Sequence, residues 1–461
     1  MESGLKKKYG LATAIAMVVG IVIGSGVFFK AETVLKATGG NIPLGIIAWI
    51  VVGLIMIVCS CTFAMMATKY EKVNGVVDYA EMTVGKKYGY YVGWFMATIY
   101  NPTITSVLAW VSARYTCVLL GWDITGGACM AISCFYLVAS YAVNALSPIL
   151  AGKFQVTTTV IKLIPLLLMA VAGTVLGLTN GMTARNFART AAASGSAGGG
   201  LFASVVAVAF AYEGWILATS INAELKDSKR NLPKALVWGS LIVVAVYVFY
   251  YIGLTGAVPT EALMKNGEAG AMMAFQKILG SVGGSIVFVF VIISCLGTLN
   301  GLMIASTRGI YSLAIRDCGP KPKVFRQVDP ATNMPTNSAI LGVLFCAVWL
   351  LYFYGANLAA APWFGLFCFD TSELPIVTLY GTYIPIFFIF IKKEKEFGAF
   401  RRFVLPVLSL LGCVFMIVAA CLSHGIHILY YLIVFAVIVA VGIPFAPAGK
   451  AARNQGEPDR G

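Results

Sequence analysis

Residues 20–28 read Gly20-Ile21-Val22-Ile23-Gly24-Ser25-Gly26-Val27-Phe28, which places three glycines and a serine inside an uncharged run over residues 9–29. A glycine in a helix interior costs up to about 1 kcal/mol relative to alanine, so this cluster weakens a helix near its middle. Gly20 and Gly24 also have the GxxxG spacing that lets two membrane helices approach closely. The stretch by itself favours close helix packing, and a broken helix is the alternative.

The composition around this stretch is that of a membrane protein. Of the 461 residues, 59% are hydrophobic and 11% are charged, whereas soluble proteins have about 25% charged residues. A spanning helix needs about 20 apolar residues, and the last uncharged run is long enough for two helices, divided near residues 423–427. The sequence thus predicts twelve transmembrane helices, from uncharged runs over residues 9–29, 37–68, 88–113, 124–152, 163–184, 190–212, 235–260, 278–307, 331–369, 374–391 and 403–449.

Several other classes of protein are excluded by the same composition. The runs are continuously apolar and do not alternate, which excludes a β-barrel. The 11 cysteines form no CxxC pair and the chain has only two histidines, so neither a disulfide framework nor a zinc site is expected. Paired catalytic acids, an HExxH motif and the charge ring of a channel are all missing. We expect no enzyme activity, no metal and no cofactor.

The distribution of lysine and arginine predicts the orientation. With the N-terminus inside, 25 of the 33 basic residues lie in cytoplasmic segments, seven lie outside or near the outer ends, and Lys162 lies within a span. Cytoplasmic loops carry this excess in membrane proteins, so both termini of a multi-pass plasma-membrane protein are predicted to be cytoplasmic. The net charge of +14 then reflects topology and anionic headgroups, and no nucleic-acid partner is expected.

Two charged residues fall inside predicted spans. Glu213 lies in the sixth span, beside Gly214, and a carboxylate there is costly unless it is paired, solvated or protonated. Lys162 lies in the fifth span, nine residues from its cytoplasmic end at Lys153. Glu213 is either a protonated or paired structural residue or part of a site at a helix break. Lys162 either extends to the inner interface or is a buried ammonium held by carbonyls of the broken first helix.

Four motifs in order resemble the amino acid–polyamine–organocation superfamily and, within it, the L-amino acid transporter group. They are Ile23–Phe28 in span one, Phe210–Trp215 in span six, the pair Asn222–Lys226 and Arg230–Ala235 after it, and Leu299–Gly301 with Ser306–Arg308 in span eight. The resemblance covers nearly the whole chain. It implies an all-α LeuT-type fold with discontinuous helices 1 and 6. The implied segments are two inverted five-helix repeats over residues 1–178 and 197–392 and two extra helices over 401–445. The composition of residues 446–461, which are polar and rich in Gly, Pro and Ala, predicts a disordered cytoplasmic tail.

The resemblance also implies residue roles. Backbone N–H groups around Gly24 and Gly26, with the Ser25 hydroxyl, would hold a substrate carboxylate, and backbone carbonyls of Val22, Phe210 and Glu213 would hold its ammonium group. Phe210 would be the outer gate. Lys162 would occupy the place of a sodium ion and serve coupling, which implies sodium independence. Apart from the resemblance, Tyr247 in span seven is a second coupling candidate that could hydrogen-bond near Lys162 or the inner vestibule, and the alternative is a lipid-facing tyrosine. Glu213 is expected to turn its side chain away from the substrate. The full predicted substrate site is Val22, Ile23, Gly24, Ser25, Gly26, Phe210, Ala211, Tyr212, Glu213 and Gly214.

The implied function is secondary transport of small neutral L-amino acids of the alanine, serine and cysteine type by alternating access, as a sodium-independent exchanger. Bacterial exchangers of these amino acids are the most similar. The alternatives are a proton-coupled amino acid symporter and a transporter of cationic amino acids or polyamines, which Glu213 favours. No glycoprotein heavy chain is expected, because the loop after span three, residues 121–127, is short and Cys129 falls in span four. A homo-oligomer remains possible.

Overall fold

The computed structural model describes residues 10–70, 75–192, 197–216, 225–332 and 334–447. Within these ranges the chain is helical apart from its connecting segments and contains no strand. The predicted disordered tail lies outside the described residues from residue 448 onward. In chain order the helices are α1 (Leu11–Val22), α2 (Gly26–Ala37), α3 (Ile42–Tyr70), α4 (Val76–Thr83), α5 (Lys86–Leu120), α6 (Gly127–Leu146), α7 (Leu150–Thr179), α8 (Met182–Ala192), α9 (Ala197–Tyr212), α10 (Ser228–Ala257), α11 (Thr260–Asn266), α12 (Glu268–Ala314), α13 (Pro322–Phe325), α14 (Thr336–Asn357), α15 (Leu374–Lys393), α16 (Phe400–His424) and α17 (His427–Phe445).

The first predicted span is a broken helix. α1 and α2 meet at a bend of 53°, and the backbone leaves helical geometry at Ile23, whose ψ is 107°. Gly20, one turn earlier, has a different role, because a Cβ there would lie 2.6 Å from Thr159 Cγ2 of α7. The two explanations of the glycine cluster therefore both apply, at different positions: Gly20 allows close packing, and the helix is interrupted between Val22 and Gly26.

The number of spans agrees with the prediction except at one helix. Ten helices of the described chain are long and apolar enough to cross a membrane, and the bent pair α1 and α2 makes eleven. The sixth predicted span corresponds to α9. Its apolar part, Gly200–Tyr212, is shorter than a full span. Residues 217–224, which follow in the chain, lie outside the described ranges. A total of twelve stays a prediction. The predicted division near residues 423–427 is confirmed, because α16 ends at His424 and α17 begins at His427.

Ion pairs connect the helix ends that the sequence predicts to be cytoplasmic. Lys69, at the end of α3, pairs with Glu394, which follows α15. Arg316, just beyond α12, pairs with Asp78 of α4 at 2.5 Å. These ends therefore share one face of the bundle, called the inner end below in accordance with the predicted topology. Lys30 of α2, the start of α15 and the end of α16 meet toward the opposite, outer end.

Glycines bring two of the long helices into backbone contact. A Cβ on Gly173 of α7 would lie 2.6 Å from the carbonyl oxygen of Gly253 of α10, and a Cβ on Gly253 would overlap the carbonyl oxygen of Met169. Helix association in lipid depends on this kind of close van der Waals packing, because lipid tails are as apolar as the side chains. The contact fixes α7, which carries Lys162, against α10, which carries Tyr247.

Candidate functional site

The start of α2 supplies hydrogen-bond donors at the first helix break. The N–H groups of the first helical turn have no intrahelical partner, and the first bond of this helix runs from Phe29 N–H to the Ser25 carbonyl at 3.1 Å. The buried Ser25 hydroxyl makes no hydrogen bond, although the Cys295 thiol lies beside it. Unpaired donors at a helix N-terminus suit an anionic group such as a carboxylate.

The second break lies directly against the first. α9 ends at Tyr212, and Gly214 has φ +102°, a conformation that favours glycine. A Cβ on Gly214 would lie 3.3 Å from the carbonyl oxygen of Ile21, and a Cβ on Gly26 would overlap the Cα of Ala211. Only glycine at position 26 therefore lets the two main chains approach this closely.

Tyr247 links the two breaks. Its buried hydroxyl lies 3.1 Å from the carbonyl oxygen of Val22 and 3.1 Å from that of Ala211. A hydroxyl has one proton to donate, so the two carbonyls share it. The sequence predicted Tyr247 as a coupling residue near Lys162 or the inner vestibule, whereas the structure gives its hydroxyl no bond to Lys162. Tyr247 therefore connects the two breaks by hydrogen bonding, and its coupling role stays a prediction.

Lys162 is buried against the first helix. Its ammonium donates to the carbonyl oxygen of Gly20 at 2.5 Å, and the residue is 4% exposed. The alternative in which this side chain extends to the inner interface is therefore wrong. The contact agrees with the prediction that carbonyls of the broken first helix hold the ammonium.

The breaks line one cavity of about 270 Å³, near the lower limit of small-molecule sites. Of the predicted site residues, Val22, Gly24, Ser25, Gly26, Phe210, Ala211, Glu213, Gly214 and Lys162 line it, while Ile23, Tyr212 and Tyr247 do not. Tyr212 instead donates its hydroxyl to the Trp49 carbonyl oxygen at 2.9 Å.

Aromatic rings close the outer side of this cavity. Phe210 lines it and packs edge-on against Phe29, with ring centroids 5.7 Å apart, and Phe29 packs in turn against Trp110 at 5.8 Å. In the other direction the cavity reaches Gln155 and Ala305, which lie toward the inner ends of α7 and α12. The cavity is therefore covered by aromatic side chains on its outer side and extends inward, and the role of Phe210 as the outer gate stays a prediction.

Glu213 is one of the residues that line the cavity, and the expectation that its side chain turns away from the substrate stays a prediction. The buried Oε1 atom has no hydrogen-bond partner. Three tyrosines, Tyr100, Tyr380 and Tyr383, lie close enough to interact with the carboxyl group. An unpaired acceptor in such a place can receive a hydrogen bond from a ligand.

Several residues that line the cavity were not predicted from the sequence. Tyr100 and Asn101 come from α5, directly at and after the π-helical turn Met96–Tyr100, and Thr298 comes from α12. A π-helical turn rotates the residues that follow it and often occurs at functional sites, but apolar periodicity does not reveal it. Among the described residues, no group of three or more His, Cys, Asp or Glu side chains could hold a metal ion.

Comparison with known proteins agrees with the family resemblance of the sequence and with the fold described above. The sequence profile described as amino acid permease matches residues 9–443. The chain is 28% identical to the serine/threonine exchanger SteT of Bacillus subtilis, over 93% of this chain and 95% of that protein. It is 26% identical to the b(0,+)-type amino acid transporter 1 of Homo sapiens, over 94% and 86%. The solved structure of MhsT in complex with L-phenylalanine matches with a TM-score of 0.55 at 14% identity, over 91% of this chain and all of that chain, which shows a LeuT-type fold.

Proposed function

The chain belongs to the amino acid permease family, and from this premise we propose that it is a sodium-independent exchanger of small neutral L-amino acids such as alanine, serine and cysteine. It works by alternating access, in which the cavity is open to one side of the membrane at a time. The site residues are those members of the predicted set that line the cavity, namely Val22, Gly24, Ser25, Gly26, Phe210, Ala211, Glu213 and Gly214. The described structure is a state shut at the outer end.

The observation that carries this proposal is the pair of helix breaks facing one small cavity. A free amino acid bears a carboxylate and an ammonium group on one carbon atom. The unpaired donors at the start of α2, with the free Ser25 hydroxyl, suit the carboxylate. The carbonyls exposed at the breaks suit the ammonium group. This arrangement recognises the part that all amino acids share, and the small volume favours small side chains.

Lys162 supports sodium independence. Its ammonium already supplies a positive charge at the Gly20 carbonyl, where a cation would otherwise interact with the broken first helix. A fixed ammonium stabilises those carbonyl dipoles without a gradient-dependent ion. Proton-coupled symport remains an outcome that the experiment below distinguishes.

A transporter of cationic amino acids or polyamines is the second candidate, and one observation favours it. Glu213 is among the residues that line the cavity, and its buried Oε1 atom has no hydrogen-bond partner. A ligand ammonium or guanidinium would satisfy it, and a hydrogen bond to a charged group is worth about 1.5–3 kcal/mol. Glu213→Gln is then expected to weaken competition by lysine or arginine at least about tenfold, whereas Glu396→Gln, at an exposed inner position, leaves it unchanged.

The test uses purified protein in sealed liposomes loaded with unlabelled L-alanine or L-serine. Uptake of the labelled amino acid is measured with and without a sodium or proton gradient, and with arginine, lysine and leucine as competitors. Uptake that needs internal substrate and ignores both gradients supports the exchanger. Uptake into empty vesicles driven by protons makes the protein a symporter, and competition by arginine alone favours the second candidate.

We further propose that the protein lies in the plasma membrane with both termini cytoplasmic. The helix ends rich in lysine and arginine meet at one end of the bundle, which supports that orientation. A disulfide-linked glycoprotein partner is not proposed, because Cys129 is fully buried within α6. Association of two copies of the chain would be measured on the purified protein by its mass in solution.

A further inference from the structure

Three helices meet at a buried charge cluster at the outer end, called the outer latch here and formed by Lys30, Glu373 and His424. The ammonium of Lys30, in α2, lies 2.7 Å from Glu373 Oε1 and 3.1 Å from Ser372 Oγ. His424, the last residue of α16, places Nε2 3.1 Å from Glu373 Oε2. Glu373 directly precedes α15, so one carboxylate ties α2 to both α15 and α16.

The latch lies directly against the predicted gate. The Lys30 ammonium is 5.4 Å from the centre of the Phe210 ring and 5.0 Å from that of Phe29. A cation within about 6 Å of a ring face is attracted to it. Movement of α2 away from α15 would therefore separate Lys30 from Glu373 and uncover Phe210 in the same step.

Because the outer latch is buried, each charged group in it needs a counter-charge. Lys30 is 2% exposed and Glu373 7% exposed, and a buried charge is costly unless it is paired. With His424 neutral, Lys30 is the cation paired with Glu373, and its departure leaves the carboxylate without a counter-charge. With His424 protonated, the imidazolium remains on Glu373 Oε2 and serves as that counter-charge.

We propose that His424 makes opening of the outer gate responsive to external pH, so that a proton on His424 favours release of Lys30 from Glu373. The inference rests on the proposed transport function, because the outer gate serves transport. Its mechanism rests on the geometry of the outer latch. The proposal assigns a role in gating to α16, a helix that lies outside the two predicted five-helix repeats.

The sign follows from linkage. In the shut state the His424 proton is attracted by Glu373 and repelled by Lys30. Once Lys30 has left, only the attraction remains, so the open state binds this proton more tightly. Asp370, in the same segment as Glu373, is the other charged group that acts on His424, and it attracts the proton in both states. Acid outside the membrane therefore shifts the equilibrium toward the outward-open state.

The experiment is hydrogen–deuterium exchange on the full chain in lipid nanodiscs without substrate, at pH 6 and pH 8, corrected for the intrinsic exchange rate. The readout is the protection of peptides from α2. His427→Gln is the matched control, since His424 and His427 are the two histidines of the chain and His427 is exposed at the start of α17. Glu373→Gln is a second variant that removes the carboxylate shared by both cations.

In the wild type and in His427→Gln, exchange in α2 is expected to be about fivefold or more faster at pH 6 than at pH 8. In His424→Gln the ratio falls to about one, with α2 protected at both pH values. In Glu373→Gln the ratio also falls to about one, with fast exchange in α2 at both pH values. A wild type without the pH effect, or a His424→Gln variant that keeps it, overturns the proposal.

The same variants separate this inference from the proposed function. In loaded liposomes, exchange of L-serine is expected to rise on external acidification in wild type and His427→Gln but not in His424→Gln. If no amino acid is exchanged while the deuterium ratios follow the pattern above, the transport proposal fails and the latch stands. If exchange is present and the ratios do not depend on His424, the latch fails and the transport proposal stands.

Discussion

Replacement of Gly26 by alanine tests the contact on which the site is built. The added Cβ would overlap the Cα of Ala211 and lie 3.1 Å from the Phe210 carbonyl oxygen and 3.2 Å from the Ala211 Cβ. All three atoms belong to the second break, and two of them are main-chain atoms that cannot rotate away. The two breaks must therefore move apart for the methyl group to fit.

The size of the effect follows from that displacement. Non-bonded carbon atoms rest about 3.5–4.0 Å apart, so the overlap requires a separation of about 1 Å. Overpacking of a well-packed interior costs about 1–3 kcal/mol. Since about 1.4 kcal/mol is a factor of ten in affinity, we expect substrate affinity to fall about tenfold to a hundredfold while the helices stay folded.

The assay pairs substrate-dependent thermal stabilisation with L-serine exchange in loaded liposomes. Gly152→Ala is the control, because Gly152 is an exposed position in α7 and a Cβ there meets nothing within 4 Å. That variant should match the wild type in both measurements. Wild-type affinity and exchange in folded Gly26→Ala would refute the assignment of the substrate site to the contact between the breaks.

Three other substitutions give separate readouts. Lys162→Ala leaves the Gly20 carbonyl without its ammonium, so transport should slow or change its pH dependence in a protein of unchanged helix content; wild-type kinetics at every pH would count against a coupling role. Tyr247→Phe removes the hydroxyl shared by Val22 and Ala211 and should lower substrate affinity about threefold to tenfold with little loss of thermal stability; an unchanged affinity would mean that the breaks hold their register without it. Gly253→Ala overlaps the Met169 carbonyl and should destabilise the fold by about 1–3 kcal/mol, measured as a lower midpoint of thermal unfolding in detergent; an unchanged midpoint would contradict the backbone contact between α7 and α10.

The sequence predicted those features of the fold that depend on residues close together along the chain. Uncharged runs of the right length indicate spans, and a cluster of glycine with serine indicates a weak point in one of them. Lys162 was also informative, because a charge so far from the interface needs a partner and carbonyls of the broken helix were the nearest candidates. The structure supplies that partner in Gly20.

Residues outside the motifs were less predictable, because their roles depend on helix rotation. Tyr247 resembles any tyrosine in an apolar helix, and only the packing of α10 brings its hydroxyl to both breaks. Tyr100 and Asn101 reach the cavity beyond a π-helical turn that leaves no mark in the apolar pattern.

The meeting of the two breaks at Gly26 and Ala211 has a consequence for how such a protein diversifies. That part of the cavity wall is main chain, and main chain keeps its donors and acceptors when most side chains mutate. Much of the rest of the wall comes from residues of α5, α7 and α12, including Tyr100, Gln155 and Thr298. Over evolutionary time, the preference for one side chain over another can therefore drift at those positions while the grip on the common amino acid backbone is inherited unchanged.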